Sequence, residues 1–205
     1  MLDAALPYVP EIRAAAEFRF GVPAPVPVIA AQIWQESQFK PNARSPVGAI
    51  GMLQFMPATW SWASKTASGD IAASPLDPKA SIRLGVWYDR HLYERVAFAR
   101  DPCNKWLFAL SGYNGGEGWR IKRQARSPDP GSWEVTHTIN PGITDANQRE
   151  NAAYPQRIVY VHQPKFQTLG PLVCGPFPPP AQPAKQQPAD PEGLIDRVKR
   201  WIKGK

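Results

Sequence analysis

Residues 26–38 place apolar side chains at Val26, Ile29, Ala30, Ile33 and Trp34. That is the i, i+3, i+4, i+7, i+8 recurrence of a helix with one buried face, and Pro27 suits its first turn. Asp77-Pro78 reads as an N-cap followed by a first-turn proline, opening a helix through about Phe98 with Leu84, Trp87, Tyr88, Leu92 and Val96 along it. Asp101-Pro102 repeats the punctuation before KWLFALSGYN, and Pro57 opens a short helix over PATWSWASK. Residues 146–162 predict one more helix, which Pro155 should kink or break because it lacks an amide donor. Strand alternation is nearly absent and no internal repeat is visible. The pattern therefore predicts a mainly α-helical domain over residues 1–165, with a Gly/Pro/Ser/Asp loop at 127–145.

After about Gln163 the pattern changes. Residues 166–191 read as a linker, and the run 175–191 holds seven prolines in seventeen residues, an extended composition unable to form a core. Residues 192–205 follow, with Leu194, Ile195, Val198, Trp201 and Ile202 on one helical face and five basic residues against Glu192 and Asp196. This predicts a cationic amphipathic helix suited to an anionic membrane or lipopolysaccharide, although the same face could dock on the domain or on a partner. A length of 205 residues with 43% apolar content fits one folded domain plus such an appendage.

Charge narrows the partners. A net charge of +7 and a pI near 9.6 favour nucleic acid, acidic lipid or an acidic cell-surface polymer. Arg120, Lys122, Arg123 and Arg126 could contact nucleic acid, but no phosphate loop, zinc finger or aromatic RNA-binding motif accompanies them, so a nucleic-acid partner is not expected. No run is long and apolar enough for a membrane span, and the first residues lack the basic-then-apolar order of a signal peptide. Cys103 and Cys174 are too few for a disulfide framework and form no CxxC; unpaired thiols are the first expectation, with pairing left open. His91, His137 and His162 lack metal-ligand spacing, so neither a metal nor a cofactor is expected.

One carboxylate stands out by position. The helix 26–38 ends in Trp34-Gln35-Glu36-Ser37 and runs into a Gly/Ser/Pro-rich stretch, so Glu36 falls where a helix meets an irregular wall. Desolvation there would raise its pKa and make it a proton donor near neutral pH, the property a general acid needs at a glycosidic oxygen. On position alone, a solvated surface glutamate is the commoner outcome.

The residues that follow carry a resemblance. Glu36-Ser37, Phe39, Pro41, Ala43, Ser45, Gly48-Ala49, Gly51, Gln54 and Met56-Pro57 match, at the same spacing, the opening motif of the soluble lytic transglycosylases, which cleave peptidoglycan. Ala109 to Gly116 resembles that family's Ala-Tyr-Asn-Ala-Gly motif, and Glu150 to Ile158 resembles its Glu-Thr-x-x-Tyr-Val segment, so the likeness covers roughly residues 25–162. Met52-Leu53 inverts the usual order, Gly112 replaces Ala, Gly116-Glu117 replaces Gly-Pro, Asn151 replaces Thr and Pro155 replaces Val.

The resemblance implies a lysozyme-like fold and cleavage of the β-1,4 bond between N-acetylmuramic acid and N-acetylglucosamine. Glu36 would be the single catalytic acid and base, giving a 1,6-anhydro-muramyl product without water. Ser45, Gln54, Tyr113, Asn114, Glu150 and Tyr154 would bind the sugars or orient Glu36. Each also has a plain structural reading: a turn at Ser45-Pro46, a core ring at Tyr113, an ion pair at Glu150. Gly48 and Gly51 are read as backbone positions for close approach, and Trp119 as the tryptophan facing the cleft. The alternatives are a hydrolytic muramidase on the same fold and a non-catalytic virion or secretion-apparatus component. The implied setting is the bacterial periplasm or cell wall, with a monomer acting on glycan strands; without a visible export signal, a phage endolysin, a virion protein or specialised secretion would deliver it.

Overall fold

The computed structural model describes residues 1–67 and 74–175, and among these there is no β-strand. A short helix α1 (Leu2–Ala5) and a 3-10 turn lead into α2 (Val9–Phe20). Then follow α3 (Val26–Ser37), α4 (Pro57–Thr66), α5 (Pro78–Glu94), α6 (Pro102–Gly115), α7 (Glu117–Arg126), α8 (Trp133–Thr136) and α9 (Asp145–Gln156). A π-helical segment (Arg157–His162) and a 3-10 segment (Gln163–Leu169) close the described chain.

Two helices form the centre. In α3 the residues from Val26 to Ile33 are buried on every side, so this helix is core and not the surface helix that a single apolar face suggests. It packs against α2, the π-helical segment and the last 3-10 segment, while α6 packs against α5, α7 and α9. Both proline-marked helix starts are built as the sequence indicates. The Asp77 side chain accepts from the Ala80 amide at 2.7 Å, and the Asp101 side chain from the Asn104 amide at 2.7 Å. Each satisfies one of the amides that a first turn leaves open, and the proline at N1 has none to satisfy.

Pro155 does not break its helix. It sits inside α9, the Arg157 amide beyond it still bonds the Ala153 carbonyl, and the ladder changes to π-helical pairing two residues after the proline. Packed structure also continues past residue 165, where the composition marks a linker. Phe166 is fully buried, and Cys174 forms a disulfide with Cys103 across 71 residues. The expectation of unpaired thiols is therefore corrected: two segments remote in sequence meet in the fold, and cysteine spacing carries no trace of that. The proline run from 176 onward and the amphipathic segment 192–205 lie outside the described residues.

Candidate active site

The wall of the site is the loop between α3 and α4. Directly after Glu36-Ser37, Gln38 and Phe39 both take positive φ, 56° and 63°, a conformation that costs a side-chain-bearing residue about 1–3 kcal/mol. Ring packing offsets it: Phe39 is buried against Tyr8, Trp34 and Phe166. Further on, backbone bridges pair Ile50 with Arg44 and with Phe55. A side chain on Gly51 (φ 81°) would run into the Pro75 carbonyl, so this position admits only glycine, as its reading for close approach requires.

Three candidate residues build this loop. The Ser45 hydroxyl accepts from the Ala49 amide at 2.9 Å. Gln54, itself at φ 47°, donates from Nε2 to the Gly51 carbonyl at 2.8 Å and the Ala43 carbonyl at 3.3 Å. Tyr113 on α6 donates its hydroxyl to the Leu53 carbonyl at 2.7 Å and so ties the loop to the central helix.

Glu36 occupies the last turn of α3, and Tyr154 of α9 donates its hydroxyl to Glu36 Oε1. Burial pushes the Glu36 carboxyl from its ordinary 4.5 up to about 7; the Tyr154 hydrogen bond works against that shift and the charge of Glu150 adds to it. Tyr113 and Tyr154 are both held far above the usual phenol range, by burial first and by the nearby Glu36 charge second, so both remain neutral donors. Glu150 itself is exposed and pairs with Arg157 at 2.5 Å, acting on Glu36 through space only. Asn114 is exposed at the end of α6, its Oδ1 accepting from Asn151 Nδ2 at 3.0 Å. Trp119 is half-buried with the Lys122 ammonium 4.2 Å over its ring, so one face is already covered.

The structure thus joins Glu36 to Tyr154 directly and groups Ser45 and Gln54 as the framework of one loop that Tyr113 ties to α6, while Glu150 stands at the rim. Sequence reading missed Asp89, which is buried on α5 with its Oδ1 accepting from Gln32 Nε2 at 3.1 Å. A charged residue on the apolar face of a predicted helix was the available signal. Burial holds the Asp89 carboxyl well above the carboxylate range, the Gln32 bond opposing and the Glu36 charge reinforcing. No group of His, Cys, Asp and Glu able to hold a metal ion occurs among the described residues.

The arrangement can move one proton. A carboxyl near 7 is present in both forms at neutral pH, and the Tyr154 hydroxyl can steady its anion. The family model of the transglycosylase SLT domain matches residues 14–136, more than half of the chain. The chain belongs to that family. It is 36% identical over 110 residues to the membrane-bound lytic murein transglycosylase F of Vibrio campbellii, a stretch covering 52% of this chain and 19% of the relative. It is likewise 36% identical over 87 residues to the soluble lytic murein transglycosylase of Escherichia coli, 41% of this chain and 13% of the relative. The chain therefore spans about a fifth or less of the length of these two relatives. Among solved structures, the 70 kDa soluble lytic transglycosylase of Escherichia coli superposes with a TM-score of 0.62 at 24% identity, covering 80% of this chain and 26% of that one. An inactive mutant of lytic transglycosylase Slt from Pseudomonas aeruginosa gives 0.60 at 22% identity, covering 82% and 25%. At such identity these two structures speak for the fold, which is the mainly helical, lysozyme-like one that the resemblance implies. No helix among the described residues is long and apolar enough to cross a membrane.

Proposed function

We propose that this chain carries a peptidoglycan lytic transglycosylase activity in which Glu36 is the sole acid and base. The observation that carries the reading is Glu36 itself: a carboxyl at a helix end, pushed to about 7 and held by a neutral tyrosine. Glu36 first gives its proton to the glycosidic oxygen as the bond from the muramic C1 breaks, and the muramic 2-acetamido group stabilises the cation forming at C1. The resulting carboxylate, steadied by Tyr154, then takes the proton of the C6 hydroxyl as that oxygen bonds to C1. A 1,6-anhydro ring forms, Glu36 regains its proton, and no water is consumed.

Ordinary retaining and inverting glycosidases set a second, ionised carboxylate across the bond. Neither carboxyl coupled to Glu36 suits that role: Asp89 is buried, which opposes its ionisation, and Glu150 is exposed and paired with Arg157. This favours the transglycosylase over the hydrolytic muramidase. In this reading Ser45 and Gln54 hold the wall against which the muramic sugar lies, Tyr113, Asn114 and Tyr154 meet its polar groups, and Glu150 borders the cleft. The substrate is the glycan strand of the bacterial wall, the working site the periplasm or wall, and the protein acts as a monomer without cofactor. Mass spectrometry of sacculus digests tests it. Anhydro-muramyl ends, one water lighter than hydrolytic ends and absent with Glu36→Gln, are expected; reducing muramic ends would assign the chain to the muramidases.

The tail adds a separable proposal: residues 192–205 bind an anionic membrane or lipopolysaccharide through basic residues worth about 1 kcal/mol each near such a surface. Truncation after Pro180 should weaken binding to anionic vesicles at low salt and leave cleavage of purified peptidoglycan unchanged. Equal vesicle binding by the two forms refutes that role.

A further inference from the structure

Arg123 on α7 is 1% exposed and has no carboxylate partner within salt-bridge distance among the described residues. It donates from Nη2 to Gln148 Oε1 at 2.7 Å, from Nε to the Ile139 carbonyl at 3.1 Å and from Nη1 to the Ser111 hydroxyl at 3.2 Å. A guanidinium only donates, so the Ser111 oxygen is the acceptor there and has one proton left to give. That proton goes to Asn151 Oδ1 at 2.8 Å. The opposite end of the same amide, Nδ2, meets the Ser111 carbonyl at 2.8 Å, which can only accept. Two independent constraints therefore fix which way the buried Asn151 amide points, where an isolated asparagine leaves it open.

The consequence reaches the cleft. Asn151 Nδ2 also donates to Asn114 Oδ1 at 3.0 Å, so the carbonyl of Asn114 is turned inward and its Nδ2 is the amide end left to the exposed side. Asn151 and Tyr154 are an i, i+3 pair on α9, so the residue that holds Asn114 and the one that holds Glu36 are neighbours on one side of that helix. Gly115 is part of the fit: a Cβ there would come within 2.5 Å of Asn151 Nδ2.

We propose that Asn151, anchored through Ser111 to Arg123, is a positioning residue that makes Asn114 a donor-only contact, selecting a carbonyl acceptor such as the N-acetyl oxygen of an amino sugar. This rests on the glycan reading of the site. The test uses the Glu36→Gln protein, which should bind without turnover, and the Kd of a purified GlcNAc–MurNAc tetrasaccharide. Asn114→Asp keeps the inward acceptor and turns the outward donor into an acceptor; it should raise Kd about tenfold or more. Asn151→Leu should raise Kd as much as Asn114→Ala, and the double variant no more than Asn114→Ala alone, because Asn151 acts only through Asn114. With Glu36 restored, KM should rise by the same factors while kcat stays within threefold.

Unchanged Kd in Asn114→Asp, or additive effects in the double variant, overturns the proposal while leaving the functional reading in place. Failure of the Glu36→Gln parent to bind the tetrasaccharide overturns both. Should Asn151→Leu not fold, Asn114→Asp decides alone, since an exposed isosteric change does not disturb the core.

Discussion

Glu36 and Asp89 are two carboxyls buried in the same interior and electrostatically coupled, yet they are equipped for opposite behaviour. Glu36 ends α3 beside an irregular loop, keeps partial access to solvent, and has a tyrosine hydroxyl that stabilises its charged form. Asp89 lies in the middle of α5 at 2% exposure and meets one amide N–H, while its second oxygen and the Gln32 carbonyl lack partners among the described residues. Desolvation raises both pKa values. The open side and the donor leave Glu36 able to ionise near neutrality, while at Asp89 burial with a single donor opposes ionisation. A proton shuttle needs both forms within reach, so burial supplies the acid and the cleft supplies the use.

The largest effect that tests this contrast is Glu36→Gln. Lytic activity should fall by about 10²–10⁴, the usual worth of general acid–base catalysis. Stability should move the other way. Because the folded pKa lies above the unfolded one, the native state binds the proton more tightly, and the stability this lends is complete below about 4.5 and lost as pH rises through about 7. The shift from 4.5 to about 7 corresponds to about 3 kcal/mol at most, so urea unfolding at pH 8 should find Glu36→Gln more stable by up to that amount, with the difference gone below pH 4. Equal stability at pH 8 would mean that Glu36 is not desolvated. Tyr154→Phe comes next, with an expected loss of about tenfold in kcat. The hydroxyl holds the Glu36 pKa down, so its removal should shift the alkaline limb of the pH–rate profile upward. An unmoved limb would reduce Tyr154 to a packing role.

These residues differ in how far they could be read from the chain. Glu36 and Tyr154 belong to motifs, and the starts of α5 and α6 rest on local bonds from Asp77 and Asp101 that span three residues. Besides the single turns α1 and α8, the latter inside the segment read as a loop, two longer helices escaped the pattern. In α2 the buried side is only Ile12, Ala15 and Ala16, too small a stripe to register. In α7 the buried side is Arg120, Arg123 and Gln124, so a hydrophobic pattern reads the inside as outside. What remained hidden was polar and long-range: Gln32 with Asp89, Asn151 with Ser111 and Asn114, Cys103 with Cys174. Each pairing is created by the packing of segments far apart in sequence, and neither periodicity nor spacing encodes it.

The smallest effect on activity is expected from the other member of the comparison. Asp89→Asn keeps the shape and the acceptor for Gln32 Nε2, and adds an N–H₂ that can turn to the unpartnered Gln32 carbonyl. Since the folded-state pKa of Asp89 lies well above its ordinary 3.8, the aspartate favours folding below that value and penalises it increasingly as pH rises. The variant should therefore be more stable at pH 7, and the gain should shrink as pH falls and vanish near pH 3. Lytic activity should stay within threefold of the parent, and the pH–rate limb assigned to Glu36 should not move, because burial opposes the ionisation of Asp89. A limb displaced to lower pH in Asp89→Asn would show that Asp89 is ionised beside Glu36, and the division between a working and a silent carboxyl would have to be redrawn.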